Sequence, residues 1–256
     1  MFDFDKNFAE YVTAYMKKNK LSPTDVEGVI SKLSEKWSKT PIKELGNSSP
    51  KEYFRGETDE KLLVDMLCTS AESGMISPLL SDRIAQLPST TPLLQDIFVG
   101  QRSEKQKIAA ARLLIEKGSV PYDLFVKILT DEAEGNELKE LIAESLCYEA
   151  DKVKEPFLRK LLDIDEERRK LICEILSYCE HDDRVFSALT DCFISSCDIP
   201  FSTALLARYG DIRGVDIMKE YAAECNYNDF IELRNGIEQL GGDFDIQRDW
   251  TDEERQ

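Results

Sequence analysis

The feature that most constrains the fold is an apolar residue that precedes a turn and recurs at near-constant spacing. It appears as Leu113, Leu146, Leu176, Leu206 and Ile237, with separations of 33, 30, 30 and 31 residues. A period of this length is typical of stacked helix pairs, in which each repeat is one supersecondary unit. The spacing therefore predicts a series of packed helix hairpins.

Each repeat is predicted to have an A helix that ends near the recurring apolar residue and a B helix after the turn. An earlier, weaker unit runs from Leu79 to Val99. Units of this size cannot bury their apolar stripes alone and need their neighbours. The sequence thus predicts an all-α fold with an α-solenoid over residues 77–246. A capping tail over 247–256 follows, and Phe244, Ile246 and Trp250 are expected to cover the last helix pair.

Residues 1–76 are predicted to form a separate N-terminal helical module. Serine and aspartate before an apolar run are helix N-cap signals, and Pro at the first helical position strengthens them. In this part of the chain such signals separate segments whose apolar residues have helical spacing. The predicted helices run from Phe4 to Asn19, from the cap at Ser22-Pro23-Thr24-Asp25 to about Trp37, briefly after Ser49-Pro50, and from after Thr58 to before Gly74.

The formal net charge is −17, and most of it lies in the predicted solenoid. Residues 1–76 carry 11 Lys and Arg against 13 Asp and Glu, whereas residues 77–256 carry 22 against 37. A surface this acidic repels phosphate backbones, so we expect no nucleic-acid partner. It favours a protein partner with a basic surface. The alternative is that the charge serves solubility alone.

The chain has no apolar run of the roughly 20 residues that a membrane helix needs, so we expect no membrane partner. It begins Met1-Phe2-Asp3-Phe4-Asp5, without the basic and apolar regions of a signal peptide. We therefore expect a cytoplasmic protein whose seven cysteines are thiols.

One stretch resembles a HEAT-like repeat of the short bacterial kind. Ala204-Leu205-Leu206 precedes Gly210-Asp211-Ile212-Arg213-Gly214-Val215-Asp216-Ile217-Met218, and that repeat has the pattern Ala-Leu-x-x-x-Gly-Asp-x-x-Ala-Val-x-x-Leu. The chain departs from it with Gly214 in place of Ala and Met218 in place of Leu. In this interpretation Gly210 and Asp211 form a structural joint that ends one helix and caps the next.

Two longer strings are similar to a group of uncharacterised HEAT-like proteins of Firmicutes. The first string consists of Trp37, Thr40-Pro41 and residues 45–54, and the second consists of residues 234–242. The resemblance implies a fold but carries no catalytic residues. HEAT-like proteins generally act as adaptors and scaffolds through their curved surface, and a few are enzymes or enzyme partners, such as alkylpurine DNA glycosylases and phycobilin lyases.

Cys173, Cys179, His181, Cys192 and Cys197 lie close together in the sequence. Their spacing does not fit a zinc knuckle, which places about two to four residues between paired ligands. We expect Cys173 and Cys192 to be core residues on apolar stripes. Cys179 and His181 are expected to point to different faces, which argues against a nucleophilic pair. The sequence predicts no metal, no cofactor and no catalytic residue, and it contains no glycine-rich phosphate motif.

Tyrosines near turns or helix ends are the remaining candidates for a functional surface. Tyr is enriched at the cores of protein interfaces, so Tyr148, Tyr178 and Tyr209 are predicted to form a protein-binding patch. The alternative is packing at the edge of the core with the hydroxyl in water.

The predicted function is a non-enzymatic intracellular scaffold or adaptor for protein–protein interaction. The alternative is an enzyme, or a lyase-like accessory factor, that uses the concave groove of the solenoid. A further hypothesis gives the N-terminal module a toxin–antitoxin or regulatory role. A deep pocket with converging polar groups would favour the enzyme.

Overall fold

A computed structural model describes residues 2–22, 25, 28–130 and 134–251. Over these residues the chain forms fifteen α-helices and two short 3₁₀ helices, with no β-strand. The prediction of an all-α fold is confirmed. The chain divides into two compact units, Met1–Val120 and Pro121–Gln256. The division falls inside the predicted solenoid, and the predicted module boundary after residue 76 lies within the first unit.

The helix predicted after Ser49-Pro50 begins as expected, and the helix predicted after Thr58 is capped by Asp59. Gly28 and Val29 form a turn inside the helix predicted from Ser22 to about Trp37, so the helix there begins only at Ile30. The start of the second predicted helix, which includes Pro23, Thr24 and Val26, lies outside the described residues. The helices are α1 (Phe4–Asn19), α2 (Ile30–Ser38), α3 (Pro50–Gly56), α4 (Glu60–Ser73), α5 (Pro78–Gln86), α6 (Thr90–Asp96) and α7 (Glu104–Glu116), with a 3₁₀ turn over Lys43–Leu45.

Helix α4 organises the first unit, because it packs against α5, α6 and α7. Its apolar residues Leu63 and Leu67 are buried. Helix α1 packs on α2, where the indole N–H of Trp37 donates to Asn7 Oδ1 at 2.9 Å. The Phe4 ring contacts the Phe54 ring of α3 at a centroid distance of 4.6 Å.

The second unit consists of helices that alternate as the B and A members of the predicted pairs. Helices α9, α11, α13 and α15 are A helices, and α8, α10, α12 and α14 are B helices. Their bounds are α8 (Tyr122–Thr130), α9 (Asn136–Cys147), α10 (Lys154–Lys160), α11 (Glu166–Leu176), α12 (Asp183–Ser195), α13 (Ile199–Tyr209), α14 (Gly214–Ala222) and α15 (Tyr227–Gln239), with a 3₁₀ turn over Ala150–Lys152.

Packing within the second unit connects mainly helices that are one or two positions apart along the chain, and α8 also packs on α11. A helices pack on A helices, as α9 with α11 and α13 with α15. B helices pack on B helices, as α8 with α10 and α10 with α12. The recurring residues Leu146, Leu176, Leu206 and Ile237 each lie in an A helix and are buried. These residues therefore form part of the core between neighbouring helix pairs.

The end of the described chain covers the last helix pair with aromatic contacts. The Phe230 ring of α15 meets Phe244 at 5.1 Å and Trp250 at 5.4 Å between centroids, both edge-on. The guanidinium of Arg248 donates to the carbonyl oxygens of Ala222 and Cys225 at the end of α14. Phe244 and Trp250 thus lie where the sequence places a cap, while residues 252–256 lie outside the described part.

The serine at the start of α3 yields a test of helix capping. The backbone N–H of Glu52 donates to Ser49 Oγ at 3.3 Å, and the N–H of Ser49 donates to Glu52 Oε2 at 2.9 Å. Ser49→Ala should lower the free energy of unfolding by about 1 kcal/mol, because a buried helix start loses its cap. Urea unfolding at neutral pH measures the change.

Ser77→Ala is the matched control, since Ser77 also precedes a Pro at a helix start but caps no backbone N–H with its side chain. It should change the free energy of unfolding by less than about 0.5 kcal/mol. The bonds from Ser49 lower the pKa of Glu52. The effect of Ser49→Ala should therefore shrink as the pH falls below the ordinary carboxyl range. Equal losses for the two serines would contradict this account.

Candidate functional site

A groove runs along the A helices of the second unit, and it contains two of the three predicted tyrosines. Side chains three and four positions apart lie on one face of a helix, and the polar residues of α9 and α11 have this spacing. Two adjoining cavities of about 490 and 340 Å³ share Glu140, Leu171 and Glu174, so they form one groove. We call this the A-helix groove. Its further lining residues include Lys139, Glu144, Cys147, Tyr148, Asp165, Arg168, Tyr178 and Phe201.

Tyr148 stands at one end of the A-helix groove, at the C-cap of α9. Its side chain is 86% exposed. A large aromatic side chain left in water has much apolar area to gain from burial, and Tyr loses little rotamer entropy when it is buried. This residue therefore has the physical properties of an interface anchor.

Tyr178 lies at the same end of the groove, just after α11, and it is 48% exposed. The guanidinium of Arg208 stacks over its ring at 4.6 Å from the centroid. Arg208 is held in turn by Ser177 Oγ at 3.2 Å and by Glu174 Oε1 at 3.9 Å. The cation–π contact orients the ring before any partner arrives.

Charge is unevenly distributed along the A-helix groove. Near the tyrosines the carboxylates of Glu140 and Glu144 are exposed and make no ion pair with any described residue. At the opposite end, the guanidinium of Arg168 binds Asp165 at 2.8 Å, which lowers the pKa of that carboxyl. Lys139 is buried at that end. The tyrosine end is thus acidic, while the other end carries both signs.

The structure does not place Tyr209 with the other two tyrosines, and the expectation of an exposed Tyr209 is wrong. Its side chain is 4% exposed, and burial raises its pKa. The hydroxyl accepts from the N–H of Asp182 at 2.6 Å and donates to the carbonyl oxygen of Asp182 at 3.0 Å. The ring stacks on His181 at 5.0 Å. Tyr209 therefore fixes the turn before α12, a role that turn proximity in the sequence does not reveal.

The joint at Gly210 and Asp211 is structural. Gly210 ends α13 with a φ of 79°, the left-handed conformation that favours glycine. Asp211 Oδ1 accepts from the N–H of Arg213 at 3.0 Å, and its carboxylate binds the Arg213 guanidinium at 2.6 Å. These bonds close the turn between α13 and α14. The expectation that Asp211 caps α14 is wrong, because Arg213 is the N-cap residue and no side chain caps the helix start.

The cysteines and the histidine singled out in the sequence do not converge on one site, although Cys173 contacts Cys192. Cys173 and Cys192 are buried, Cys197 is exposed, and His181 stacks on Tyr209. Among the residues that the structure describes, no group of three or more His, Cys, Asp or Glu side chains is placed to hold a metal ion. Burial raises the pKa of Cys147, which lines the A-helix groove, to about 11. Its thiol is therefore protonated at neutral pH and a poor nucleophile.

A second groove lies between α10 and α12 on the B-helix side, with a volume of about 740 Å³. We call it the B-helix groove. Leu162, which is 91% exposed, lies at its edge. The guanidinium of Arg184 at its rim is held by Glu155 at 2.6 Å and Asp182 at 2.8 Å. These bonds lower the pKa of both carboxyls. Its lining also includes Leu158, Arg159, Leu161, Arg169, Ala188 and Cys192.

Sequence reasoning missed both grooves and the role of Arg208. A usable signal was present, because Glu140, Glu144 and Cys147 on α9 share the helical spacing of a single face. Nothing in the sequence indicates that Leu162 is exposed, since an apolar residue near a helix end is normally assigned to the core.

No protein-family model, curated protein or solved structure matches the chain. The HEAT-like resemblance therefore stays a prediction. Within the described ranges, no helix combines the length and apolar character needed to cross a bilayer.

The turn held by Tyr209 yields a stability prediction. Tyr209→Phe should lower the free energy of unfolding by about 1–3 kcal/mol, because the N–H of Asp182 loses its buried partner. Tyr148→Phe, at an exposed ring, should change it by less than about 0.5 kcal/mol. Chemical denaturation of the two variants side by side measures the difference. A loss at Tyr148 as large as that at Tyr209 would refute the assignment of Tyr209 to the core.

Proposed function

We propose that the second unit is a protein-binding module, built as a short HEAT-like solenoid, that binds a basic segment of a partner protein in the A-helix groove. The partner segment lies at the acidic end of the groove, against Tyr148 and Tyr178. The protein thus acts as an adaptor or scaffold.

The packing of the second unit supports the solenoid part of this proposal. A helices contact A helices, B helices contact B helices, and the recurring residues are buried between them. Stacked repeats in which each unit contacts its neighbours have this arrangement. The A helices α9 and α11 lie side by side, so a partner segment can lie across two repeats.

The observation that carries the proposed function is the exposed Tyr148 beside unpaired carboxylates. Aromatic residues supply the buried centre of an interface, while charges at the rim select the partner and speed the encounter. Glu140 and Glu144 supply a negative rim. A lysine- or arginine-rich segment complements it, whereas an acidic segment is repelled.

An enzymatic function receives no comparable support from this groove. Its thiol, Cys147, is held in the protonated form by burial and by the nearby charge of Glu174. The carboxyl of Asp165 is held ionised by Arg168, which suits a structural ion pair rather than proton transfer. Binding therefore explains the residues of the groove better than catalysis.

A binding assay with a fluorescein-labelled octa-arginine peptide tests the proposed function. The peptide should bind the protein, with an affinity that falls as salt is added. Glu140→Gln with Glu144→Gln should lower that affinity by roughly threefold to tenfold, because two unpaired carboxylates at the groove are lost. Tyr148→Ala with Tyr178→Ala should lower it by about tenfold or more. Fluorescence anisotropy measures each affinity.

The matched control for charge is Glu10→Gln with Glu44→Gln, two exposed carboxylates in the first unit. This pair changes the net charge by the same amount but should leave the affinity within about twofold. Labelled octa-glutamate should not bind. If the two double substitutions weaken binding equally, the peptide responds only to overall charge and the proposed site is wrong.

A further inference from the structure

The B-helix groove contains a thiol that differs from the other cysteines. Cys192 lies in α12 and lines the groove beside Leu161 and Ala188. Burial is the main cause that raises the pKa values of Cys68, Cys147, Cys179 and Cys225, to about 12 at Cys179, while the pKa of Cys173 is raised first by its hydrogen bond with Cys192 and then by burial. Cys192 is also buried, at 5% exposed, yet its pKa is lowered.

The cause lies in the contact with Cys173 on the neighbouring helix. The thiol of Cys173 donates a hydrogen bond to the sulfur of Cys192, which favours the thiolate of Cys192. The same bond and burial raise the pKa of Cys173. Helices α11 and α12 pack directly on each other, and the bond between Cys173 and Cys192 joins them across one helix pair.

Nearby positive charge also favours the Cys192 thiolate, although Arg169 lowers the pKa of Cys173 as well. Arg169 lines the same groove, and Arg169 and Lys170 both favour the Cys192 thiolate, while Glu166 opposes them. The guanidinium of Arg169 donates to the carbonyl oxygen of Ile164 at 3.3 Å and makes no ion pair with a described carboxylate. Its charge is therefore not cancelled by a direct partner.

We propose that Cys192 is a hydroperoxide-sensitive thiol, and that Cys173 resolves its oxidised form to a disulfide that links α11 to α12. The groove gives a small oxidant access to a sulfur that is otherwise enclosed. Its leucine lining suits an organic hydroperoxide as well as hydrogen peroxide. This site is separate from the A-helix groove and does not depend on the proposed function.

The chemistry balances with a hydroperoxide as the only oxidant. The Cys192 thiolate attacks one peroxide oxygen, so the S–O bond forms and the O–O bond breaks. The alkoxide or hydroxide that leaves takes up the proton that the thiol released and departs as alcohol or water, and the sulfur is oxidised by two electrons. The Cys173 sulfur then attacks the sulfenic acid of Cys192. The S–S bond forms, the S–O bond breaks, and the hydroxide leaves as water with the Cys173 proton.

The experiment treats the reduced full-length protein with hydrogen peroxide and, separately, with cumene hydroperoxide. The exposed Cys197 is replaced by serine throughout, so that it cannot contribute. Peptide mapping without reduction should find Cys173 joined to Cys192. In Cys173→Ala the reaction should stop at a sulfenic acid on Cys192, which dimedone traps. Cys147→Ser is the matched control at a half-buried thiol and should form the disulfide as the parent does.

A second measurement leaves both sulfurs in place. Competitive alkylation of the reduced protein should label Cys192 about tenfold faster than Cys147, since only a thiolate reacts. Arg169→Gln should slow the labelling of Cys192 and its oxidation by a few-fold, and leave Cys147 unchanged. A faster reaction with cumene hydroperoxide would identify the leucines as a binding surface, and equal rates would identify hydrogen peroxide as sufficient. If no disulfide forms with either oxidant, or if Cys192 reacts no faster than Cys147, the proposal is wrong.

Discussion

Burial of apolar residues between neighbouring helix pairs is the constraint on which the second unit depends. Its helices are short, and helices of about 7 to 13 residues are marginal in water by themselves. Their stability must come from packing of one apolar face. Leu146, Leu176 and Leu206 meet this need at similar positions in successive A helices. Each helix pair is therefore stabilised by the next. The apolar residue recurs in the sequence because each pair needs a buried contact with its neighbour.

The same packing determines which residues remain available for binding. When one stripe of an A helix is buried, the stripe opposite it must face water, and Glu140, Glu144 and Tyr148 lie there on α9. The B helices expose their own opposite face, with Leu162 at one edge. The two grooves are thus consequences of the core. They differ in chemistry, because the A-helix groove combines carboxylates with tyrosines, while the B-helix groove combines leucines and arginines with a thiol.

The sequence predicted the features that depend on local chemistry and periodicity. It predicted the all-α class, the cap at Ser49 and the helix end at Gly210, because caps and left-handed turns are read within a few residues. It placed the start of α4 after Thr58 with Asp59 in the first turn, whereas Asp59 is the N-cap. It also predicted that Phe244 and Trp250 cover the last helix pair, since the apolar face of a terminal repeat must be covered.

The sequence could not predict features that join residues from different helices. Tyr209 occurs near a turn like Tyr178, and only the tertiary structure shows that its hydroxyl reaches Asp182 and is buried. Cys173 and Cys192 are about 20 residues apart, and their contact depends on how α11 and α12 rotate against each other. The groove along α9 and α11 likewise requires two helices in register. Periodicity assigns a residue to a face, but it does not say what that face meets.

The most direct test compares the same substitution at two leucines of the second unit, one inside α11 and one in the turn after α10. Leu176 is buried between helix pairs, whereas Leu162 is almost fully exposed at the B-helix groove. The measurement is the free energy of unfolding in urea for Leu176→Ala and Leu162→Ala. We expect a loss of about 2–5 kcal/mol at Leu176 and less than about 0.5 kcal/mol at Leu162. Equal effects, or a larger loss at Leu162, would contradict the claim that the recurring apolar residues hold the helix pairs together.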